Sequence, residues 1–187
     1  MKKFALAMFA IAVAFAFTQV ASATSLDFTY TSPTVTLSGV LDSTLISPGV
    51  YALTGGSVDV TASSSSGNLP TGTWNAIPDP TGTAIPYSCC GGTFTYDQQG
   101  FPGQDPVVDL YGFMFQLSST PGDYLNIYSN GPGNYGVTSA INGNLGVNVG
   151  SEVPTSVSLT VPDGGTTLAL LGLVVAGLAG LRRKLSV

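Results

Sequence analysis

The chain of 187 residues contains no histidine, and its five lysines and arginines all lie near its ends, at Lys2, Lys3, Arg182, Arg183 and Lys184. From Thr24 to Val161 there is no basic side chain. The same stretch carries Asp27, Asp42, Asp59, Asp79, Asp97, Asp105, Asp109, Asp123 and Glu152. This absence excludes several chemistries. A surface without cations cannot neutralise phosphates, so nucleic acid is not expected as a partner. A Ser-His-Asp or Cys-His nucleophile lacks its base, and lysine nucleophiles, arginine clamps and histidine metal ligands are excluded as well. Side-chain ion pairs cannot hold the body together, which leaves apolar burial and the backbone hydrogen-bond ladder. The uncompensated negative charge suits a secreted passenger whose copies repel one another weakly.

Helical periodicity is also missing between Thr24 and Val161. Short runs alternate apolar and polar residues between clusters of Gly, Pro, Asn and Ser, as half-buried strands do. Val35 and Leu37 alternate with threonine and serine, and so do Val157, Leu159 and Val161. Tyr111, Phe113, Phe115 and Leu117 fall on one side of a run whose other side holds Leu110 and Met114, so that strand is expected to be central. Further strands are expected near Leu26–Tyr30, Thr73–Ile77, Thr93–Asp97 and Leu125–Ile127. The spacing predicts an all-β body, an antiparallel β-sandwich or flattened barrel of about ten short strands. Two hairpins are expected. Gly55-Gly56 should turn the chain so that Leu53 faces Val58 and Tyr51 faces Val60. A three-residue loop at Asn142-Gly143-Asn144 should pair Ile141 with Leu145 and Val137 with Val149. Pro78 to Gly92 and Gln98 to Pro106 read as surface loops.

The ends carry the most legible signals. Lys2 and Lys3, the apolar run Phe4 to Phe17 and the small-x-small pattern Ala21-Ser22-Ala23 form a signal peptide over residues 1–23, with cleavage leaving Thr24 first. Signal peptidase and the general export machinery are then partners. A β-rich body over residues 24–161 follows, and residues 162–187 form a third part. There the run TTLALLGLVVAGLAG is apolar all round and is stopped by Arg182, Arg183 and Lys184. As a helix the apolar segment would be roughly 24 Å long, close to a hydrocarbon core of about 30 Å once flanking residues are added. No later domain follows that could bury it, and the cations fit a cytoplasmic C-terminus, so a transmembrane helix is expected beside the N-terminal signal helix.

Just before that run stands Val161-Pro162-Asp163-Gly164-Gly165. Motif, short apolar helix and basic end together resemble the PEP-CTERM group of bacterial sorting signals, in the variant named for Val-Pro-Asp-Ser-Gly. Gly164 stands where that variant has serine. The resemblance implies export, retention in the inner membrane as a precursor, and recognition of the motif by an exosortase-type membrane protease-transpeptidase. Release or attachment at the cell surface would follow. The segment GTFTYDQQGFPGQDPVVDLYGFMF is similar to passenger domains found with such tails.

Inside the body the candidates are fewer. Cys89-Cys90 could close a vicinal disulfide, remain two thiols or cross-link chains. Asp97, Asp105 and Asp109 gather near a carbonyl-rich loop and are weak calcium candidates, without the spacing of a known calcium loop. No carboxylate lies in a recognisable glycosidase motif, so no catalytic residue, enzyme activity or cofactor is expected. A structural or adhesive role at the cell surface or in the extracellular matrix is the first reading. The alternative is a carbohydrate-binding module for extracellular polysaccharide, with Trp74, Tyr87 and Phe101 as stacking rings. Intact mass before and after reduction checks the cysteine pair, since a mass that reduction leaves unchanged rules the vicinal bond out.

Overall fold

The computed structural model describes residues 23–64, 69–89 and 92–162, so both the signal segment and the apolar C-terminal run lie outside the described residues. The described chain is all-β. Its strands are β1 (Ala23–Thr31), β2 (Val35–Ser47), β3 (Val50–Ser63), β4 (Gly72–Ala76), β5 (Ile85–Cys89) and β6 (Gly92–Tyr96). They continue with β7 (Gln99–Gly100), β8 (Phe113–Leu117), β9 (Tyr124–Gly131), β10 (Asn134–Ile141), β11 (Asn144–Glu152) and β12 (Ser156–Thr160). The strands at Leu26–Tyr30, Thr73–Ile77 and Thr93–Asp97 fall where alternation placed them, but β2 and β3 run to 13 and 14 residues and are not short.

The main sheet is antiparallel in the order β11-β10-β9-β8-β4-β3-β2-β1-β12, with β7 pairing β3 off that path. β11 and β12 are its two edges, yet only residues 153–155 join them. Laid flat, the eight interstrand steps would hold the edges roughly 38 Å apart. The connection from Glu152 to Ser156 can span at most about 14 Å. The sheet therefore has to curl, and it forms a half-barrel. Contacts between distant strands confirm the curl. Phe28 on β1 meets Phe113 on β8 edge to face at 5.4 Å, and Tyr30 on β1 meets Tyr135 on β10 at 5.9 Å.

Alternation then decides which side chains fill the concave side. Leu26, Phe28, Tyr30, Leu37, Leu41, Trp74, Phe113, Phe115, Ile127 and Leu159 join one buried cluster. The outward rows are polar. Ser158, Thr29, Ser38, Asp59 and Thr73 stand side by side across five strands, with hydroxyl bonds from Thr29 to Ser158 at 2.8 Å and from Thr73 to Asp59 at 2.6 Å. β8 is central and apolar on both faces, as expected for Phe113, Met114, Phe115 and Leu117. Leu110 and Tyr111 precede it and are exposed.

Both expected hairpins need correction. Gly55-Gly56 is not a turn, because β3 runs straight through it and Asp42 and Leu41 face those glycines. The turn is Pro48-Gly49, where proline presets the first position and Gly49 takes φ 77°. Gly56, at φ 90°, marks instead a close approach. A Cβ there would lie 2.4 Å from the Val40 carbonyl oxygen, and a bulge sits between Asp42 and Ser43 in the register. Leu53 accordingly faces Ser43, not Val58. At the other site the turn is the two residues Asn142-Gly143, with φ 51° and 73°, and Ile141 faces Asn144. Val137 does pair with Val149, because a bulge between Thr138 and Ala140 absorbs the offset. The Val147 N–H freed by that bulge donates to Ser139 Oγ at 2.8 Å.

The close approach of β2 and β3 gives a direct test. A Cβ on Gly39 would lie 2.1 Å from the Ser57 carbonyl oxygen, whereas one on Gly150 meets nothing within 4 Å. Gly39→Ala is expected to lower stability by about 2–3 kcal/mol, seen as a melting temperature roughly 5–10 °C lower. Gly150→Ala should stay within about 0.5 kcal/mol of the parent.

Candidate functional site

Between β4 and β8 the chain leaves the main sheet, pairing with it as a strand only through the short β7 on β3, and Gln98 anchors that excursion. Gln98 was expected to open a surface loop. It is instead fully buried, with a left-handed φ of 55°. Its backbone N–H donates to the Gly112 carbonyl at 3.2 Å, and its carbonyl accepts from the Leu53 N–H at 3.0 Å. Its side-chain amide behaves like a further strand residue. Oε1 accepts from the Met114 N–H at 2.8 Å, while Nε2 donates to the carbonyls of Met114, at 2.9 Å, and Ile77. No apolar pattern announces such a residue, and sequence reasoning missed it. The other expected loop, Pro78 to Gly92, also contains a strand, since β5 pairs with β6 in a separate hairpin that sets Cys89 opposite Gly92. Cys90 lies outside the described residues.

The excursion brings Asp97 and Asp109 together and leaves Asp105 apart. Asp97 is buried, and Oδ1 accepts from the Gln99 N–H at 3.1 Å. Burial pushes its carboxyl up to about 7; the Gln99 N–H opposes this, and the neighbouring Asp109 and then Asp79 reinforce it. Asp109 Oδ1 accepts from the N–H groups of Tyr111, at 2.8 Å, and Gly112, at 3.0 Å. Asp105 instead accepts from the Gly133 N–H at 3.0 Å and the Tyr135 hydroxyl at 3.3 Å. Among the described residues no three acidic or cysteine side chains are grouped as a metal cage.

The same loop links the edge strand β12 to the turn between β9 and β10. The Gly103 N–H donates to the Leu159 carbonyl on β12 at 3.1 Å, while Asp105 reaches the turn between β9 and β10. Nearby, the Tyr30 hydroxyl donates to Glu152 at 2.5 Å and thereby ties β1 to β11. Burial, then the bonded Glu152, raises the Tyr30 hydroxyl well above the usual phenol range. Tyr135 is pushed up to about 12 by burial and by Asp105, against the Val107 N–H it accepts. Both phenols therefore remain donors at physiological pH.

The proposed stacking rings do not line up on the surface. Trp74 is wholly buried, and its indole N–H donates to the Pro70 carbonyl at 3.2 Å. Tyr87 is half-buried against Tyr124, with ring centroids 4.4 Å apart, and Phe101 is half-buried in the sealing loop. A shallow surface hollow of about 160 Å³ lies between the β1–β2 turn and the end of β3. Its wall includes Ser32, Thr34, Thr36 and Ser63, and the Ser32 and Ser63 hydroxyls already bond to nearby backbone.

At the chain's two exits, Ala23 opens β1, and the Thr24 carbonyl accepts from Ser43 Oγ at 2.7 Å. Val161 and Pro162 follow β12 directly and are exposed. Ala21, Asp163, Gly164, Gly165, Arg182, Arg183 and Lys184 lie outside the described residues, as does the apolar run. No helix among the described residues is long and apolar enough to cross a membrane. Residues 160–185 match the family model described as VPDSG-CTERM motif. The chain thus carries a sorting signal of the PEP-CTERM type, which implies an exported protein handled by an exosortase-type membrane enzyme. No curated protein and no solved structure matches the chain.

The Asp97 geometry sets a pH dependence. Its carboxyl titrates higher in the folded chain than at its ordinary value of 3.8, so the folded state holds the proton more tightly. The stability from this group is full below about pH 4 and is lost as pH rises through about 7. Between pH 5 and pH 8 the loss is expected to be roughly 2–3 kcal/mol, or about 5–10 °C in melting temperature. Asp97→Asn keeps an acceptor for Gln99 and should flatten that slope. A slope that survives the substitution assigns the effect elsewhere.

Proposed function

We propose that the chain is an exported, exosortase-processed protein of the bacterial cell surface or extracellular matrix, whose half-barrel has a structural or adhesive role. The observation that carries this reading is the match to the sorting-signal family, which begins at Thr160, the residue where the last strand ends. An inner-membrane precursor and a surface or extracellular product follow from the order of the signals. The body supports a passive role. It has no basic side chain between Thr24 and Val161, half of its aromatic rings are buried, and several of its carboxylates hold loops in place. On the same grounds we read it as a non-enzymatic protein. A carbohydrate-binding module remains the alternative, but it needs an exposed flat row of rings, and Trp74 is wholly buried while Tyr87 and Phe101 are half-buried.

Fractionation of producing cells with and without the processing enzyme tests the reading. With the enzyme, the chain should leave the inner membrane without Arg182, Arg183 and Lys184, as terminal mass spectrometry reads directly. Without it, the chain should stay in the membrane fraction with those residues attached. Identical termini and fractions in both strains would overturn the proposal. Binding of the purified body to a glycan array, abolished by Tyr87→Ala, would favour the carbohydrate reading instead.

A further inference from the structure

Strand β12 does two jobs at once. It completes the sheet and it is the last paired segment before the sorting motif. All five of its residues pair with β1, from Thr31↔Ser156 to Asp27↔Thr160. Hydroxyls of Thr29 and Ser158 meet across that pair at 2.8 Å, and the Thr155 N–H just upstream donates to the Thr31 carbonyl at 2.8 Å. On its other side Leu159 accepts from the Gly103 N–H at 3.1 Å. The Leu159 side chain is 1% exposed and closes over Gly100, where a Cβ would lie 2.6 Å from its Cδ2. The next residues differ sharply. Val161 is 38% exposed, Pro162 is exposed, and a proline has no N–H with which to extend the ladder.

The N-terminal exit is adjacent. Ala23–Leu26 pair with β2 alone, because the β12 register stops at Asp27. At ordinary strand rise and spacing, Thr24 and Val161 stand within about 10 Å of one another. The predicted signal cleavage site and the start of the sorting motif therefore share one end of the body.

We infer that the β1–β12 pair is a clamp that sets the upstream limit of C-terminal processing, shielding Ser156–Thr160 and leaving Val161 as the first residue after the sheet that is open to a protease. The inference rests on the export reading for its biological setting, but the shielding itself is a property of the fold. A protease needs its substrate locally open, and opening β12 means breaking its ladder and withdrawing Leu159 from the core. A cut within β12 would also strip β1 of its partner over Asp27–Thr31. A cut beyond Thr160 leaves the sheet whole.

The test uses the full-length chain in detergent, digested with a broad-specificity protease and followed by intact mass. The first large product should end at Val161 or later, with ends inside Ser156–Thr160 appearing at least tenfold more slowly. Leu159→Asp, which places a charge in the core, should release β12 and bring the two rates together. Because that variant can also disturb the fold, a second one inserts a flexible spacer between Thr160 and Val161. Its first cuts should move into the spacer while Ser156–Thr160 stays protected. Early ends inside Ser156–Thr160 in the unaltered chain overturn the clamp. In producing cells, a mature C-terminus inside β12 also overturns it, whereas a tail left intact beside an active processing enzyme overturns the export reading and leaves the digestion result standing.

Discussion

The three-residue connection between β11 and β12 is the constraint on which the architecture depends. It ties together the two edges of a sheet nine strands wide, so the sheet can accommodate that short connection only by curling. Curling gives the protein an inside. The concave rows of Leu, Phe, Tyr and Trp are buried against one another from strands far apart in the order, with no helix among the described residues to cover them. The bond from Tyr30 to Glu152 holds the same margin shut, and the loop through Gly103 and Asp105 spans what the strands leave open.

A body without cations has to find other partners for its carboxylates, and it finds them in nearby turns and in turns brought close by the fold. Asp79 accepts from Thr81 and Thr83, Asp109 from Tyr111 and Gly112, Asp123 from Asn142, and Asp105 from Gly133 and Tyr135. Nearly all these donors are backbone N–H groups at the start or end of a turn. Each carboxylate thus fixes a connection and satisfies a donor that would otherwise need water or another strand. Asp97 departs from this pattern because it is buried beside a second carboxyl. Protonation there substitutes for the missing counter-charge. Asp79, Asp105, Asp109 and Asp123 consequently act as staples for the turns they bond.

The parts of this arrangement that were legible in the sequence are those encoded by near neighbours. Alternation placed most strands, and the flanking apolar residues made β8 central. The C-terminal sorting motif could be read because its residues lie in one stretch of chain. Non-local geometry was harder to read. Gly55-Gly56 looks the same whether glycine is wanted for a turn or for another backbone passing within contact distance; only the position of β2 distinguishes them. The Asn142-Gly143 turn was set aside because Thr138 would have faced Val147, and a bulge removes that conflict without leaving a mark in the local pattern. Gln98 left no signal at all, since a polar residue in a Gly- and Pro-rich stretch resembles solvent-exposed chain until its four backbone partners are known.

Charge and topology converge at the margin formed by β1 and β12. The basic side chains at the C-terminal end, Arg182, Arg183 and Lys184, lie beyond the sorting motif, and Lys2 and Lys3 lie before the predicted signal cleavage site. On the proposed route, removing both ends strips every basic side chain from the protein. On that route, the charges expected to orient the precursor in the membrane are absent from the product. What remains is a body bearing only negative side chains, which anionic lipid headgroups repel and do not hold. Loss of the apolar run removes the hydrophobic attachment, and loss of the cations removes the electrostatic one. Because both exits stand at the same end of the half-barrel, a single face of the body would meet the membrane before processing. The outward polar rows on β1 to β4 would stay clear for contact with the surroundings.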